Sequence, residues 1–420
     1  MSTLTHISHE NIRNRTLQTF SALKHRNFRL FWTGQFVSLI GTWMQTVAQG
    51  WLVLQLTNSA FLLGTVNAIG SLPVLLFALP GGVIADRVDK RRILIFTQTV
   101  AMVLAFILAA LTHLHNTGVI VLRVWYVVAI AAVGGTVFAL DGPARQSFFI
   151  ELVGRKDLLN AIALNSTIFN GARLMGPALA GILIGVIGTA GCFFLNGLSF
   201  VAVIIGLLMI RTEAPAAKRS DSPWVDMKQG LKYVWNHKAV RALILIVALF
   251  SIFGMPYVVL MPIFARDILQ KGASGLGFLM AATGLGALTG SLTLATFSQI
   301  QRKGTLVFWA GIVFSLTTLA FSLSRSYALS LAILPLVGLS MVSQVATVNT
   351  MIQGTVSDQM RGRVMGVFTM MFMGMMPFGS FIAGAIASRW GAPSALQLGA
   401  GICLCATVAI YRLVPDLWKM

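Results

Sequence analysis

Apolar stretches of about twenty residues recur along nearly the whole chain, and no other feature restricts the fold as much. Their cores read 30–54, 60–83, 93–112, 121–140, 161–186, 190–210, 240–264, 275–297, 305–323, 327–350, 363–387 and 394–413. A helix crossing a bilayer needs ~20 mostly apolar residues, so each stretch is long enough for one crossing. A soluble domain would leave far too much apolar surface unburied. The 420 residues are 56% hydrophobic and 10% charged, against ~45–50% and ~25% in soluble domains. The expected fold class is an all-α membrane protein with twelve transmembrane helices.

Charge sets the expected orientation. Of the 31 Lys and Arg residues, 25 fall in the amino-terminal tail, alternate loops and the carboxyl terminus. Arg123, Arg266, Lys271, Arg325 and Arg389 fall on the other side, and Arg173 lies inside a span. By the positive-inside rule both termini and the central loop are expected in the cytoplasm. The net charge of +19 then meets anionic lipid headgroups rather than nucleic acid. Residues 1–27 are polar and lack the apolar core and cleavage site of a secretory signal, so a cytoplasmic tail is expected. Cys192, Cys403 and Cys405 all lie in spans and read as small apolar packing residues, with no metal or disulfide expected.

The polar segment 211–239 divides the chain into six-span halves, 28–210 and 240–420. Its first part is linker-like. From Trp224 it becomes amphipathic, with Met227, Leu231, Val234 and Trp235 spaced as one helical face suited to a membrane surface. The halves echo each other: Met175-Gly176-Pro177 has a counterpart in Met375-Met376-Pro377, and Gly64 and Gly70 in Gly277 and Gly284. Weak repetition of this kind is what a two-domain transporter leaves in its sequence.

The loop after the second span reads GGVIADRVDKRR, placing Gly82, Asp86, Arg87, Lys90 and Arg91 on the pattern G-x-x-x-D-R-x-G-[RK]-[RK], with Asp89 at the last glycine. It resembles the loop signature of the major facilitator superfamily, and span count and repeat agree along nearly the whole chain. With NGARLMGPALAG, LDGPARQ, ELVGRKDLLNAIALN and MRGRVMG, the chain is similar to the transmembrane secretion-effector branch, which includes the enterobactin exporter. The resemblance implies two six-helix bundles and a charge latch. Gly82 would let helices approach closely. Asp86 would accept from the amino terminus of the eleventh span, near Arg361 and Arg363. Lys90 or Arg91 would pair with Asp141, beside Arg145. Gly171, Gly176, Pro177 and Gly181 in the fifth span look like the glycine-proline motif of export-type members.

Polar residues also lie within the spans. On a helix of ~100° per residue, Gln35, Ser38, Thr42, Gln45 and Gln49 fall within an arc of about 80°. Ser340, Ser343, Gln344, Thr347 and Thr350 form a similar face in the tenth span. In the facilitator fold the first and tenth spans line a central cavity, so both faces are expected on the substrate path, with interhelical bridging as the other reading. Arg173 is the sole mid-span charge. It points either to a cavity favouring neutral or anionic substrates or to a structural role near Asn165 and Asn170. No acidic residue or histidine falls mid-span, which leaves Asp141 or Asp86, at the membrane edge, for any coupling to protons. Gly286 and Gly290 in GLGALTG read as helix contacts, not a dinucleotide loop, and the Met-rich TMMFMGMMPF run as packing, with an adaptable substrate wall as the other reading.

The implied function is secondary active export of small amphipathic, neutral or anionic, siderophore-like molecules. It would proceed across a bacterial inner membrane by rocker-switch alternating access, in a monomer without cofactor. The alternative is a polyspecific multidrug efflux transporter. An enzyme is not expected, because no mid-span group can serve as base and no nucleotide loop is present. In a non-transporting sensor the latch would have no purpose.

Overall fold

The computed structural model describes residues 21–210, 223–296 and 302–419. The tail before Ser21 and the linker stretch 211–222 lie outside them. The described residues form helices and no strand.

The amino-terminal helices are α1 (Arg26–Thr57), α2 (Ala60–Arg87), α3 (Lys90–Asn116) and α4 (Val124–Met209). The sequence supplies their boundaries. Asn58, at φ 49°, ends α1 in the left-handed region, where a short polar side chain is tolerated. The Ser59 hydroxyl accepts from Leu62 N at 3.2 Å and starts α2. Asp89 accepts from Arg91 N at 2.8 Å and starts α3. The motif's departure from glycine at this position therefore supplies an N-cap. Within α4, Gly154 (φ 70°, ψ 178°) and Gly188 (φ 71°, ψ 178°) take backbone angles that essentially only glycine adopts. They break its 86 residues into three pieces. Residues 141–153, expected as loop, continue the first piece as helix.

The later helices are α5 (Pro223–Asn236), α6 (Lys238–Leu249), α7 (Tyr257–Ile263), α8 (Gly272–Thr296), α9 (Lys303–Leu323), α10 (Tyr327–Thr355), α11 (Asp358–Met373) and α12 (Met376–Leu413). Two π-helical turns flank α7, Phe250–Gly254 and Phe264–Ile268. Their wide hydrogen bonds run from Met255 N to Phe250 O at 3.0 Å and from Leu269 N to Phe264 O at 2.8 Å. Gly391, at φ 84°, breaks α12.

Eight of the described helical runs are long and apolar enough to cross a membrane. The run through α4 and the run Asp358–Leu413 count once each among them, although both are broken. The 32-residue α1 is not among the eight, because its polar stripe dilutes the apolar window.

Contact between helices relies on glycine. A β-carbon at Gly34 would stand 3.1 Å from Val203 Cα, and one at Gly206 3.1 Å from Leu30 O. These positions press α1 onto the last piece of α4. Edge-to-face pairs of Phe31 with Phe148 and Phe149, at 5.6 and 6.0 Å, fill the space between α1 and the first piece.

Two attachments lie at the end of the molecule that carries Arg87, Arg155 and Lys238. In the first, Asp157 accepts from Ser21 Oγ at 2.7 Å and pairs with His25 Nε2 at 2.8 Å. Asn160 Oδ1 accepts from Ala22 N at 2.9 Å. The hydrogen bond from His25, and after it that from Ser21, holds the Asp157 carboxyl below its ordinary range. Asp157→Ala is expected to release this turn and speed tryptic cleavage after Lys24 several-fold.

The second attachment is α5. Asp226 accepts from Arg363 Nε at 2.6 Å, and a β-carbon at Gly230 would stand 2.6 Å from Arg363 O. Met227 and Val234 pack into a cluster with Val364, Val367 and Phe368, while Leu231 and Trp235 are exposed. The single apolar face expected for this helix is therefore split: one side docks on α11 and the other stays outside. Gly230→Leu is expected to lift α5, so that a cysteine at the buried Val234 position becomes open to maleimide.

Candidate functional site

Four helices bring one cation to the middle of the molecule. Arg173 lies on the second piece of α4, between Gly154 and Gly188. Its Nη2 donates to Met341 Sδ of α10 at 3.4 Å. Its guanidinium carbon stands 5.7 Å from the ring centroid of Trp43 on α1. Tyr257 of α7, 1% exposed, donates its hydroxyl to the same sulfur at 3.6 Å. Phe169 meets Trp43 edge-to-face at 5.8 Å. Among the described residues no carboxylate lies within ion-pairing distance of Arg173. Asn170 donates to Ser166 O of its own helix at 2.9 Å.

The helix face that bears Arg173 differs toward its two ends. Toward Arg155, Ile162 and Phe169 are 48% and 44% exposed. Toward Gly188, Pro177, Ala180 and Ile184 are buried. Glycine seams between amino- and carboxyl-terminal helices account for that burial. A β-carbon at Gly181 would stand 2.9 Å from Gly277 Cα, and one at Gly64 2.8 Å from Gly384 Cα. At the same end Arg266 donates to Leu54 O at 3.0 Å and Asn58 Oδ1 at 2.8 Å, and Phe61 meets Phe381 at 5.4 Å. Gly176 packs within the amino-terminal set, where a β-carbon would stand 2.8 Å from Ile40 O of α1, whereas Gly171 makes only ordinary contact with Phe36.

A second polar cluster sits nearer the basic end. Asp141, 3% exposed, accepts from Thr97 Oγ1 and Gln98 Nε2, each at 2.8 Å, and forms an ion pair with Arg145. The pairing expected from Lys90 or Arg91 to Asp141 is therefore not what the structure shows. Lys90 reaches Glu151 at 2.7 Å. Arg91 donates to Leu207 O and Leu208 O at 2.6 and 2.9 Å, where the carbonyl end of α4 favours a cation. Arg145, one turn along from Asp141, reaches it first.

Other members of the expected gate are placed differently. A β-carbon at Gly82 would meet nothing within 4 Å, so the close approach falls one residue earlier, where Gly81 would stand 2.8 Å from Ala139 O. Arg87 is exposed. The side chain of Asp86 lies outside the described residues, and with it the latch to α11. Arg361 pairs with Asp358 at 2.6 Å and donates to Gln353 O at 3.0 Å, while Arg363 is held by Asp226.

Both polar stripes make contacts within their own set of helices. Gln45 accepts from Asn196 Nδ2 at 2.7 Å, and Gly41 faces Asn196 and Ser199. Gln35 and Ser38 are buried. Thr42 is exposed and donates to Ser38 O at 2.9 Å, and Gln49 is half-buried. On α10, Ser340, Ser343, Gln344 and Thr347 are buried, and Thr350 is exposed. Gln344 abuts Gly311 of α9 beside Thr407 of α12. Gln45 therefore bridges α1 to the last piece of α4, and Gln344 packs against α9.

Trp43, Tyr257 and Met341 were not singled out in the sequence. Each is an ordinary membrane residue locally, and only the fold sets them around Arg173.

Across residues 17–418 the chain matches the family model described as transmembrane secretion effector. It is 23% identical to the staphyloferrin A transporter of Staphylococcus aureus (strain NCTC 8325 / PS 47), over 91% of this chain and 95% of that one. It is 25% identical to the multidrug efflux pump Tap of Mycolicibacterium fortuitum, over 88% and 92%. It is 26% identical to the enterobactin exporter EntS of Shigella boydii serotype 4 (strain Sb227), over 84% and 83%. Among solved structures, a bacterial homolog of the human lysosomal transporter Spinster, inward-facing and unoccupied, superposes with a TM-score of 0.72 at 13% identity, covering 94% of this chain and 98% of that one. The nucleoside transporter NupG superposes with a TM-score of 0.70 at 12% identity, covering 94% and 99%. At such identities the likeness is one of fold.

Proposed function

The chain belongs to the transmembrane secretion effector family of the major facilitator superfamily, and from that membership we infer that it is a secondary exporter of small amphipathic molecules. The observation that carries the reading is the contrast between the ends of the Arg173 face. Glycine seams join amino- and carboxyl-terminal helices on one side of the cation, and the face is exposed on the other. Rocking the two sets of helices about the seams would expose Arg173 to each side in turn, which is alternating access. The exposed side is the one rich in Lys and Arg, and hence cytoplasmic under the positive-inside rule. With α4 counted as three crossings, α6 to α7 with their π-turns as one, α11 with the part of α12 before Gly391 as one, and the rest of α12 as another, the helices other than α5 make twelve crossings, with both termini in the cytoplasm of a bacterial cell.

The substrate we assign is neutral or anionic and siderophore-like. Arg173 has no carboxylate partner among the described residues, and two of the relatives are siderophore transporters by name. A drug-pump reading is favoured by the exposed aromatic wall at Phe169 and by the relatives named for multidrug and macrolide efflux. Asp141 is the one fully buried carboxylate among the described residues and is our candidate for coupling to protons.

Everted membrane vesicles from cells expressing the chain test the assignment. Energised uptake of a carboxylate or catecholate siderophore, with no uptake of ethidium, is expected. Uptake of ethidium alone would replace the assignment with the drug-pump reading. Absence of any uptake across both classes would remove the exporter reading.

A further inference from the structure

The Arg173 cluster has an unusual feature. Its two strong donors, a guanidinium from α4 and a phenol from α7, converge on one thioether, Met341 Sδ, at 3.4 and 3.6 Å. Sulfur of this kind is a weak acceptor, so the best donors in the middle of the molecule hold the poorest partner available. An oxyanion placed between them would make charge-assisted hydrogen bonds in its stead. Beside the donors stands an aromatic pair, Trp43 with Phe169 edge-on at 5.8 Å. The guanidinium is already 5.7 Å from the centre of the Trp43 ring, a distance at which cation and ring attract.

We propose that Arg173 and Tyr257 form an anion subsite for an aromatic acid, whose oxyanion displaces Met341 Sδ and whose ring lies against Trp43 and Phe169. The inference rests on the exporter reading and narrows its substrate to a class, a ring bearing a carboxylate or an acidic phenol. Arg173 and Trp43 come from the amino-terminal helices, Tyr257 and Met341 from the carboxyl-terminal ones. An occupant would thus engage both sets of helices. The Met341 thioether keeps the two donors together when no anion is present, and its flexible side chain can swing aside.

Salicylate is the minimal probe, and salicylamide is its neutral counterpart of nearly the same shape. Equilibrium dialysis of tritiated salicylate against the purified full chain in detergent should show saturable binding. Salicylamide should compete at least tenfold more weakly. Arg173→Gln should remove that discrimination, Tyr257→Phe should weaken salicylate several-fold, and Met341→Leu, which takes away the competing acceptor, should tighten it. Equal competition by the two probes in the unaltered chain overturns the subsite, and needs no variant to fold. Discrimination that survives in Arg173→Gln overturns it as well. Neither outcome touches the exporter reading, which stands or falls on vesicle uptake. A chain that transports only cations and ignores salicylate would keep the exporter and lose the subsite.

Discussion

Gly181→Leu is expected to open the sealed end of the molecule and abolish transport while the chain stays folded in the membrane. A β-carbon there would stand 2.9 Å from Gly277 Cα and 3.0 Å from Ser274 O. Both neighbours are backbone, so no side chain can swing aside to make room. In the other direction, a β-carbon at Gly277 would stand 2.5 Å from Pro177 O. The second piece of α4 and α8 must therefore separate to admit the leucine. Overpacking of this kind typically costs about 1–3 kcal/mol, which is small enough for the fold to survive. A reporter needs no knowledge of the substrate. Ala180 is fully buried on the same face, and a cysteine there should be inert to a membrane-impermeant maleimide in the parent. In the leucine variant it should be labelled from the sealed side. Gly181→Ala should fall between the two. An unlabelled cysteine and normal transport in the leucine variant would show that this seam is not part of the gate.

The largest stability effect is expected at Asp141→Ala. Asp141 is buried with Thr97, Gln98 and Arg145 turned toward it, and Arg145 is itself largely buried. Removing one partner of a buried ion pair leaves the other charge uncompensated, at a cost of about 3–5 kcal/mol. The neighbourhood offers no relief: Gln98 Oε1 and Arg145 Nε are already without partners. Thermal unfolding in detergent should show a lower midpoint for Asp141→Ala. The double variant Asp141→Ala with Arg145→Leu should recover part of it, because the stranded charge goes too. If the single and double variants unfold alike, the pair is not what stabilises this corner.

Much of the fold could be read from the sequence because the bilayer imposes a length. The expected cores 60–83, 305–323 and 327–350 lie inside α2, α9 and α10, and the caps at Ser59, Asp89 and Ser326 fix helix starts that apolar length alone left open. Arg173 was legible for a related reason, since a lone cation amid apolar residues stands out on the cost of placing it there. Its partners were not. Trp43 and Met341 lie 130 and 168 residues away in the chain, and no local pattern distinguishes them from packing residues.

The stripes illustrate the limit. Helical periodicity fixes the arc on which Gln35, Ser38 and Gln45 lie, but the arc does not say which neighbour it faces. The close approach of Gly34 and Gly41 to the last piece of α4 turned that arc inward, onto Asn196. The salt bridges of the second loop were missed for the same reason. Lys90, Arg91, Asp141, Arg145 and Glu151 allow several pairings by charge. The choice among them was made by helical register, which puts Arg145 one turn from Asp141 and Arg91 beside the carbonyl end of α4.

The π-helical turns on either side of α7 have a consequence for reading homology. Each holds one residue more than the α-turn it replaces, so the chain beyond it is rotated by about 100° relative to an uninterrupted helix. Tyr257 follows the first such turn, past Met255 and Pro256, so its phase on the helix depends on that turn and on the tighter one from Val258 N to Met255 O at 3.2 Å. A relative lacking the insertion would present a different neighbour at the same column of an ungapped alignment. Equivalence through this stretch is therefore a matter of phase, and a gap of one residue there decides which side chain is inherited by the centre of the molecule.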